Sequence, residues 1–245
     1  MKPNNWTETL LAWFDGFRRE LPWRESHPRN PYHVWVSEIM LQQTRTETVK
    51  GYFHRWMEQF PTIRDLAQAP EDQVLRAWQG LGYYSRARNL HKAARQVMVE
   101  WDGQLPRDRK ALGDLPGIGA YTVGAILSMA FGEKVPAVDG NLLRVLARLY
   151  GVEEDITGTQ GKKTITALAE AAIPADRPGD FNEAMMDLGA EVCIPKHPRC
   201  GECPLRESCR ALKEGKTEVL PVRKAKAPQK ELAAACGLVC REGRY

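Results

Sequence analysis

The feature that most constrains this chain is a group of four cysteines near its C-terminal end. They follow the spacing C-x6-C-x2-C-x5-C in a loop that also carries lysine and arginine, and they are Cys193, Cys200, Cys203 and Cys209. No cysteine precedes residue 193, which argues against a disulfide framework. Four thiolates so close together suit either an iron–sulfur cluster or a tetrahedral zinc ion. Structural zinc sites usually use two matched short pairs, so one tight pair with two longer gaps favours a 4Fe-4S cluster.

Length and composition set the outer limits on the fold. With 245 residues, of which 43% are hydrophobic, the chain can bury a core as one large or two small domains. The N-terminal segment lacks a signal-peptide pattern, and no apolar run approaches the ~20 residues that a membrane span needs. We therefore expect a soluble, cytoplasmic protein with no membrane partner. The net charge of +4 permits nucleic-acid binding without requiring it.

Hydrophobic residues recur at spacings of three and four along most of the chain, which predicts an all-α fold of about ten short helices. Alternating patterns typical of strands are nearly absent before residue 232. The predicted helices are Trp6–Arg19, Val34–Tyr52, Pro70–Gln79, Ser85–Glu100, Lys110–Leu115, Gly119–Phe131, Asn141–Tyr150, Lys162–Ala172 and Phe181–Val192.

The C-terminal end has a different character. Residues 213–230 are rich in lysine and arginine and contain two prolines, so we predict a basic linker. Residues 231–245 begin an alternating, strand-like pattern. A lone strand is not stable by itself. We therefore expect this segment to be the start of a truncated C-terminal domain.

A glycine-rich turn joins two of the predicted helices. Gly117 and Gly119 flank Ile118, and the amides of such a turn at a helix N-terminus can hold a phosphate without side-chain charge. A dinucleotide-binding fold would need a strand before the glycines, where residues 109–115 are helical instead. The alternative is an ordinary corner between two helices.

Two carboxylates stand out. Glu38 lies on a mostly apolar helix face, which raises the pKa of a carboxyl and suits a general acid, although an arginine partner at a helix seam is the alternative. Asp139 directly precedes a predicted helix, where it can cap the helix and also stay ionised. Trp23 and Arg24 could hold a flat ligand with polar edges, or belong to the core.

A second glycine turn carries aromatic and basic side chains. Tyr83 and Tyr84 are followed by Arg86 and Arg88, a composition that suits a wedge between stacked bases with phosphate contacts beside it. The alternative interpretation is a buried tyrosine corner.

These motifs together resemble a known family. The turn Leu115-Pro116-Gly117-Ile118-Gly119, the following Asp139 and the cysteine loop resemble the endonuclease III superfamily of helix-hairpin-helix DNA glycosylases. The segments 36–44 and 80–86 are similar to the MutY-type adenine DNA glycosylases, and the resemblance covers roughly residues 5–225. It implies two helical subdomains. Residues 1–25 and 132–212 would form one, with the cluster loop, and residues 26–131 a helical barrel with the helix-hairpin-helix motif.

The resemblance also implies roles for single residues. Glu38 would protonate a flipped adenine at N7, and Asp139 would stabilise the sugar cation, with Tyr121 and Asn141 assisting. Other residues would bind the substrate: Trp23, Arg24 and Glu183 in the adenine pocket, Gln43 and Tyr83 in the base stack, and Gly117, Gly119, Arg86 and Lys196 at or beside the DNA phosphates. The partner implied is double-stranded DNA with adenine opposite 8-oxoguanine or guanine, bound by a monomer in the bacterial nucleoid.

One position separates the branches of this superfamily. Bifunctional lyases carry a Schiff-base lysine two residues after the second glycine of the turn, and here Tyr121 stands at that place. A tyrosine cannot form an imine, so the resemblance implies base excision without strong strand cleavage. The alternatives are an endonuclease III-like pyrimidine glycosylase and lyase, or a non-catalytic DNA-binding module with structural zinc. The related full-length proteins have a further C-terminal domain that reads 8-oxoguanine, so we expect lesion discrimination to be reduced here.

Overall fold

The computed structural model describes residues 5–26 and 29–224, and this part of the chain contains helices and turns but no strand, as predicted. The α-helices are α1 Asn5–Phe17, α2 Pro31–Leu41, α3 Thr46–Gln59, α4 Ile63–Gln68, α5 Glu71–Ala77, α6 Ser85–Trp101, α7 Arg109–Gly113, α8 Ala120–Ala125, α9 Gly140–Tyr150, α10 Thr159–Ala172, α11 Pro178–Glu191 and α12 Arg210–Lys213. Short 3-10 turns occupy Pro22–Arg24, Cys200–Glu202 and Arg206–Ser208. The predicted strand-like segment at 231–245 and the last part of the predicted linker, residues 225–230, lie outside the described residues.

The buried hydrophobic side chains form two clusters. The first gathers α2 to α8 around three tryptophans that are almost fully buried, Trp35, Trp56 and Trp78. The second joins α1 to α9, α10 and α11, so that segments far apart in sequence share one core. Leu21 and Trp23 pack in the first cluster, although they precede residue 26. The subdomain boundaries given above stay a prediction.

The helix predicted over Val34–Tyr52 is in fact two helices. α2 ends at Leu41, and Gln43 adopts the left-handed backbone conformation with φ of 57°. The buried Arg86 stabilises this break, because its Nη1 donates to the carbonyls of Ile39, Met40 and Gln42 at 2.9, 3.0 and 2.6 Å. Those carbonyls lie at the end of α2, where helical partners are missing. The cap comes from a distant helix, so the local pattern did not reveal it.

Two further details differ from the predicted helices. α4 was not predicted, although Thr62 and Asp65 form a capping box at its start. The helix predicted over Gly119–Phe131 begins as α8 and then widens into a π-helical segment, Ile126–Ala130. α8 lies very close to residues 136 and 137, since a Cβ on Gly124 would come within 2.5 Å of the Pro136 carbonyl oxygen. This close packing brings the chain before Asp139 against α8.

Candidate active site

A pocket of about 360 Å³ lies where α2, α8, α11, the start of α9 and the 3-10 turn at Pro22–Arg24 meet. It collects seven of the residues that the resemblance implicated: Trp23, Arg24, Glu38, Tyr121, Asp139, Asn141 and Glu183. Their sequence positions span 160 residues, so the fold and not local sequence brings them together. Ser37, Gln42 and Met186 also line the pocket and were not anticipated.

Glu38 is a buried carboxyl group with a short hydrogen bond. Its side chain lies on α2 and the residue is 5% exposed, and the Tyr121 hydroxyl donates to its Oε2 atom. Burial raises the pKa of Glu38 to about 7, with Asp139 and Glu183 adding to the rise, while Tyr121 and Arg24 oppose it. A carboxyl group with such a pKa is an effective proton donor near neutral pH.

Asp139 caps α9 and lines the same pocket. Its Oδ1 atom accepts from the Leu142 amide at 2.7 Å, and its Oδ2 atom accepts from Asn141 Nδ2 at 2.8 Å. The predicted helix cap is therefore present. Burial raises the pKa of Asp139 in spite of these hydrogen bonds, which favour the ionised form. The position at the helix end favours an ionised carboxylate, but burial has the larger effect on the pKa of Asp139.

Arg144 fixes the orientation of Asn141. Its Nη2 atom donates to Asn141 Oδ1 at 2.8 Å, which leaves the amide Nδ2 directed at Asp139. The same guanidinium donates through Nε to the Cys193 carbonyl at 2.7 Å and through Nη2 to the Gly189 carbonyl at 2.7 Å. The pocket and the cysteine loop therefore share one arginine. It follows Asn141 by three residues, and no local pattern marks it as part of the site.

Buried ion pairs lie at one wall of the pocket and directly behind it. Glu183 lies 3.1 Å from Arg24 and 3.1 Å from Arg29. Asp187 lies 2.7 Å from Arg24 and 2.6 Å from Arg19. The arginine ion pairs of this region belong to Glu183 and Asp187 and not to Glu38. Neither Arg29 nor Asp187 was predicted, because single charged residues on a helix carry no local signal of a distant partner.

The residues predicted to touch the base stack lie outside the pocket lining. Gln43 is exposed, and Tyr83 is 62% exposed with φ of 48°. A buried tyrosine corner is therefore wrong for Tyr83. Arg86 is buried, and its Nη2 atom also donates to the Leu81 carbonyl at 3.0 Å. Its guanidinium is thus occupied inside the protein, and the predicted phosphate contact is replaced by a structural role.

The two glycines of the helix-hairpin-helix turn differ in their requirements. Gly117 has φ of 79°, and a Cβ there would come within 2.9 Å of Asn89 Cβ. Gly119 is the extended residue before α8 and has open space around it. Only the first position needs glycine for its conformation. Lys196, the other predicted phosphate contact, is an exposed residue of the cysteine loop.

The four cysteines line one small cavity together with Arg148. All four are free thiols, and Arg148 Nη1 lies 3.4 Å from Cys193 Sγ. Within residues 5–26 and 29–224, no three histidine, cysteine, aspartate or glutamate side chains are placed to hold a single metal ion. Four thiols around one cavity are a donor set that suits a 4Fe-4S cluster or a zinc ion.

Comparison with known proteins agrees with this geometry. Residues 36–174 match the model of the HhH-GPD superfamily base excision DNA repair protein. The adenine DNA glycosylase of Mus musculus is 46% identical over 224 residues, which cover 87% of this chain and 44% of that protein. The adenine DNA glycosylase of Buchnera aphidicola subsp. Schizaphis graminum is 38% identical over 221 residues, which cover 90% of this chain and 63% of that protein. The chain thus spans about half the length of these curated relatives.

Solved structures give the same family. A thermostable thymine-DNA glycosylase superposes with a TM-score of 0.77 at 31% identity, over 87% of this chain and 97% of that one. Endonuclease III in a non-covalent DNA complex superposes with a TM-score of 0.70 at 27% identity, over 85% and 94%. The chain belongs to the HhH-GPD superfamily of base excision DNA repair proteins. Within it, the curated relatives named above are adenine DNA glycosylases. No helix in the described ranges is long and apolar enough to cross a membrane.

Proposed function

We propose that this chain is a monofunctional adenine DNA glycosylase, which hydrolyses the N-glycosidic bond of adenine mispaired with 8-oxoguanine or guanine. The observation that carries the proposal is the pair Glu38 and Tyr121 in the pocket. It supplies a buried carboxylic acid, and it places a tyrosine where the related lyases have a lysine. The names of the curated relatives, adenine DNA glycosylases, support adenine as the base that is removed.

Glu38 is the proposed acid. With a pKa raised by burial to about 7, it holds a proton that it can transfer to N7 of a flipped adenine. Protonation makes the base a better leaving group. Tyr121, whose hydroxyl donates to Glu38, orients the carboxyl group. The same hydrogen bond stabilises the Glu38 carboxylate after the proton has been transferred.

Asp139 is the proposed stabiliser of the sugar cation. The amide of Leu142 and the side chain of Asn141 hold both of its oxygens in the pocket. An anion beside a developing oxocarbenium ion lowers the barrier in the way that the second carboxylate does in glycoside hydrolysis. Water then adds to the anomeric carbon of the sugar cation and loses a proton, which completes the hydrolysis. The sugar–phosphate strand stays intact, because no lysine amine lines the pocket to form an imine.

DNA binding and the cysteine cluster complete the proposal. The turn at Gly117 and Gly119 and the loop residue Lys196 would hold phosphates, while Gln43 and Tyr83 would enter the base stack. The four cysteines would hold a 4Fe-4S cluster, whose contribution is to order the loop that carries Lys196. The proposed protein is a monomer that acts on DNA in the bacterial nucleoid and cytoplasm.

The test is release of free adenine from duplexes with adenine opposite 8-oxoguanine, and opposite guanine, under single-turnover conditions. We expect release in both cases, with strands that stay intact until alkali or heat is applied. Glu38→Gln should lose excision and keep DNA binding. Efficient borohydride trapping of the unaltered protein on DNA would contradict the monofunctional assignment.

A further inference from the structure

Four charged side chains are buried together beside the base pocket. Their side chains are 6% exposed for Arg24, 7% for Arg29, 5% for Glu183 and 1% for Asp187. Buried charges are tolerated only when each is closely paired. Arg24 and Glu183 line the pocket, whereas Asp187 lies behind them and lines a separate groove with Arg19.

The donors of Arg24 are directed into the protein. Its Nη1 atom donates to Asp187 Oδ2 at 2.7 Å, and its Nη2 atom donates to Asp187 Oδ1 at 3.2 Å. Its Nε atom lies 3.1 Å from Glu183 Oε1 as an ion pair without hydrogen-bond alignment. Asp187 therefore takes one N–H from each terminal nitrogen of this guanidinium and holds it in a bidentate pair.

Glu183 keeps free acceptor capacity in the pocket. Its Oε2 atom accepts from Arg29 Nη2 at 3.1 Å, while Arg29 is itself fixed by the carbonyls of Arg24 and Ser26 at 2.5 and 2.9 Å. An ionised carboxylate has about four acceptor sites, so these contacts leave lone pairs for a ligand. Such a group recognises an N–H edge, and the exocyclic amine of adenine offers one.

We infer that Asp187 is a positioning residue for the base pocket, which holds Arg24 in place so that Glu183 is fixed as the acceptor for the exocyclic amine. The inference rests on the proposed adenine activity. Asp187 is itself held from the other side, since Arg19 Nε donates to its Oδ1 atom at 2.7 Å. Without Asp187, the guanidinium of Arg24 is free to turn and compete with the base for Glu183.

The experiment compares adenine with purine, which lacks the exocyclic amine, at the same position in a duplex. In Asp187→Asn, the single-turnover rate should fall about tenfold for adenine and less than about twofold for purine, because one hydrogen bond of the base is affected. The ratio of the two rates should therefore fall. Asp187→Glu keeps the charge and should restore part of this ratio.

A matched control is Asp15→Asn. Asp15 also pairs with an arginine of the α1–α11 seam, Arg177 at 2.5 Å, but it lies outside the pocket. Its removal should leave the adenine-to-purine ratio unchanged.

A merely structural Asp187 would lower both rates equally or leave their ratio within twofold of the parent, and that result would overturn the inference. If Asp187→Asn does not fold, Asp187→Glu serves in its place, because it keeps the buried charge paired but displaces the carboxylate by one methylene; its adenine-to-purine ratio must then fall, by less than tenfold. The proposed function is decided first and separately, since an unaltered protein that releases no adenine refutes it before variants are compared.

Discussion

Burial and the hydrogen bond from Tyr121 have opposite effects on the pKa of Glu38. The Tyr121 hydroxyl stabilises the ionised form of Glu38 and so lowers its pKa, against the rise that burial causes. The proton that the proposed reaction needs is present below a pH of about 7 and is lost above it. The excision rate should accordingly fall about tenfold for each pH unit well above that value.

Tyr121→Phe removes the hydroxyl and leaves the ring. We expect the pKa of Glu38 to rise, so that the alkaline limb of the single-turnover rate profile moves to higher pH. The rate at the plateau should fall, because the carboxyl group is less well oriented. Tyr52→Phe, whose hydroxyl donates to the Gln79 carbonyl outside the pocket, is the control and should leave the limb in place. A limb that moves to lower pH would show that Tyr121 does not stabilise the anion.

The burial of Glu38 also makes the free energy of unfolding depend on pH. Its pKa is about 4.5 in the unfolded chain and about 7 when folded, so the folded state binds the proton more tightly between these values. The free energy of unfolding should therefore decrease as pH rises from about 4.5 to 7, by an amount on the order of 3 kcal/mol. Glu38→Gln lacks this titration.

Urea unfolding of the parent and of Glu38→Gln at several pH values measures this effect. The advantage of Glu38→Gln in free energy of unfolding should grow between pH 5 and pH 8. A constant difference across that range would mean that Glu38 is well solvated or compensated in the folded protein.

The helix-hairpin-helix turn provides two glycines for a direct comparison. Gly117→Ala forces a left-handed backbone on alanine and brings its Cβ against Asn89, so it should cost about 1–2 kcal/mol of stability. DNA binding should weaken with it if the amides of the turn hold a phosphate. Gly119→Ala meets open space in an extended conformation and should cost a few tenths of a kcal/mol. Equal effects on urea midpoints and DNA affinity would contradict this distinction.

Several elements followed from the sequence and others did not, for physical reasons. The strongly periodic helices that became α1, α6 and α9 were predicted within a few residues, because their apolar faces meet the core directly. The break between α2 and α3 was missed because Arg86 creates it from another helix. Seven of the predicted site residues do meet in one pocket, whereas Gln43, Tyr83 and Arg86 lie outside its lining. The ion pairs of Arg29 and Asp187 depend on which helices cross, which no local pattern encodes.

Two arginines of α9 connect the cysteine loop to the rest of the protein through hydrogen bonds. Arg144 donates to the Cys193 carbonyl, and Arg148 donates to the carbonyls of Ile194 and Pro195 at 2.7 and 2.9 Å. The loop that would hold the cluster is thus fastened at its first ligand to the helix that begins beside Asp139.

Cys200→Ser should therefore lower bound iron, thermal stability and DNA affinity together. Iron analysis, thermal unfolding and a DNA titration at fixed salt measure the three quantities. Ser208→Ala, an exposed change in the same loop, leaves the four thiols intact and should alter none of them. Purified protein with about one zinc per chain and no iron would contradict the proposed cluster.

The sharing of one core by α1, α9 and α11 has a consequence for the order in which the chain folds during synthesis. α1 leaves the ribosome about 160 residues before α11 begins, which at cellular rates is roughly ten to thirty seconds. During that interval Trp6, Leu10 and Phe14 lack their partners in α11, and for most of it they also lack those in α9, while the tryptophan-rich first cluster can already assemble from α2 to α8. The second cluster can form completely only after α11 has been synthesised. A nascent chain is therefore most exposed to chaperones, and to aggregation, along the apolar face of α1.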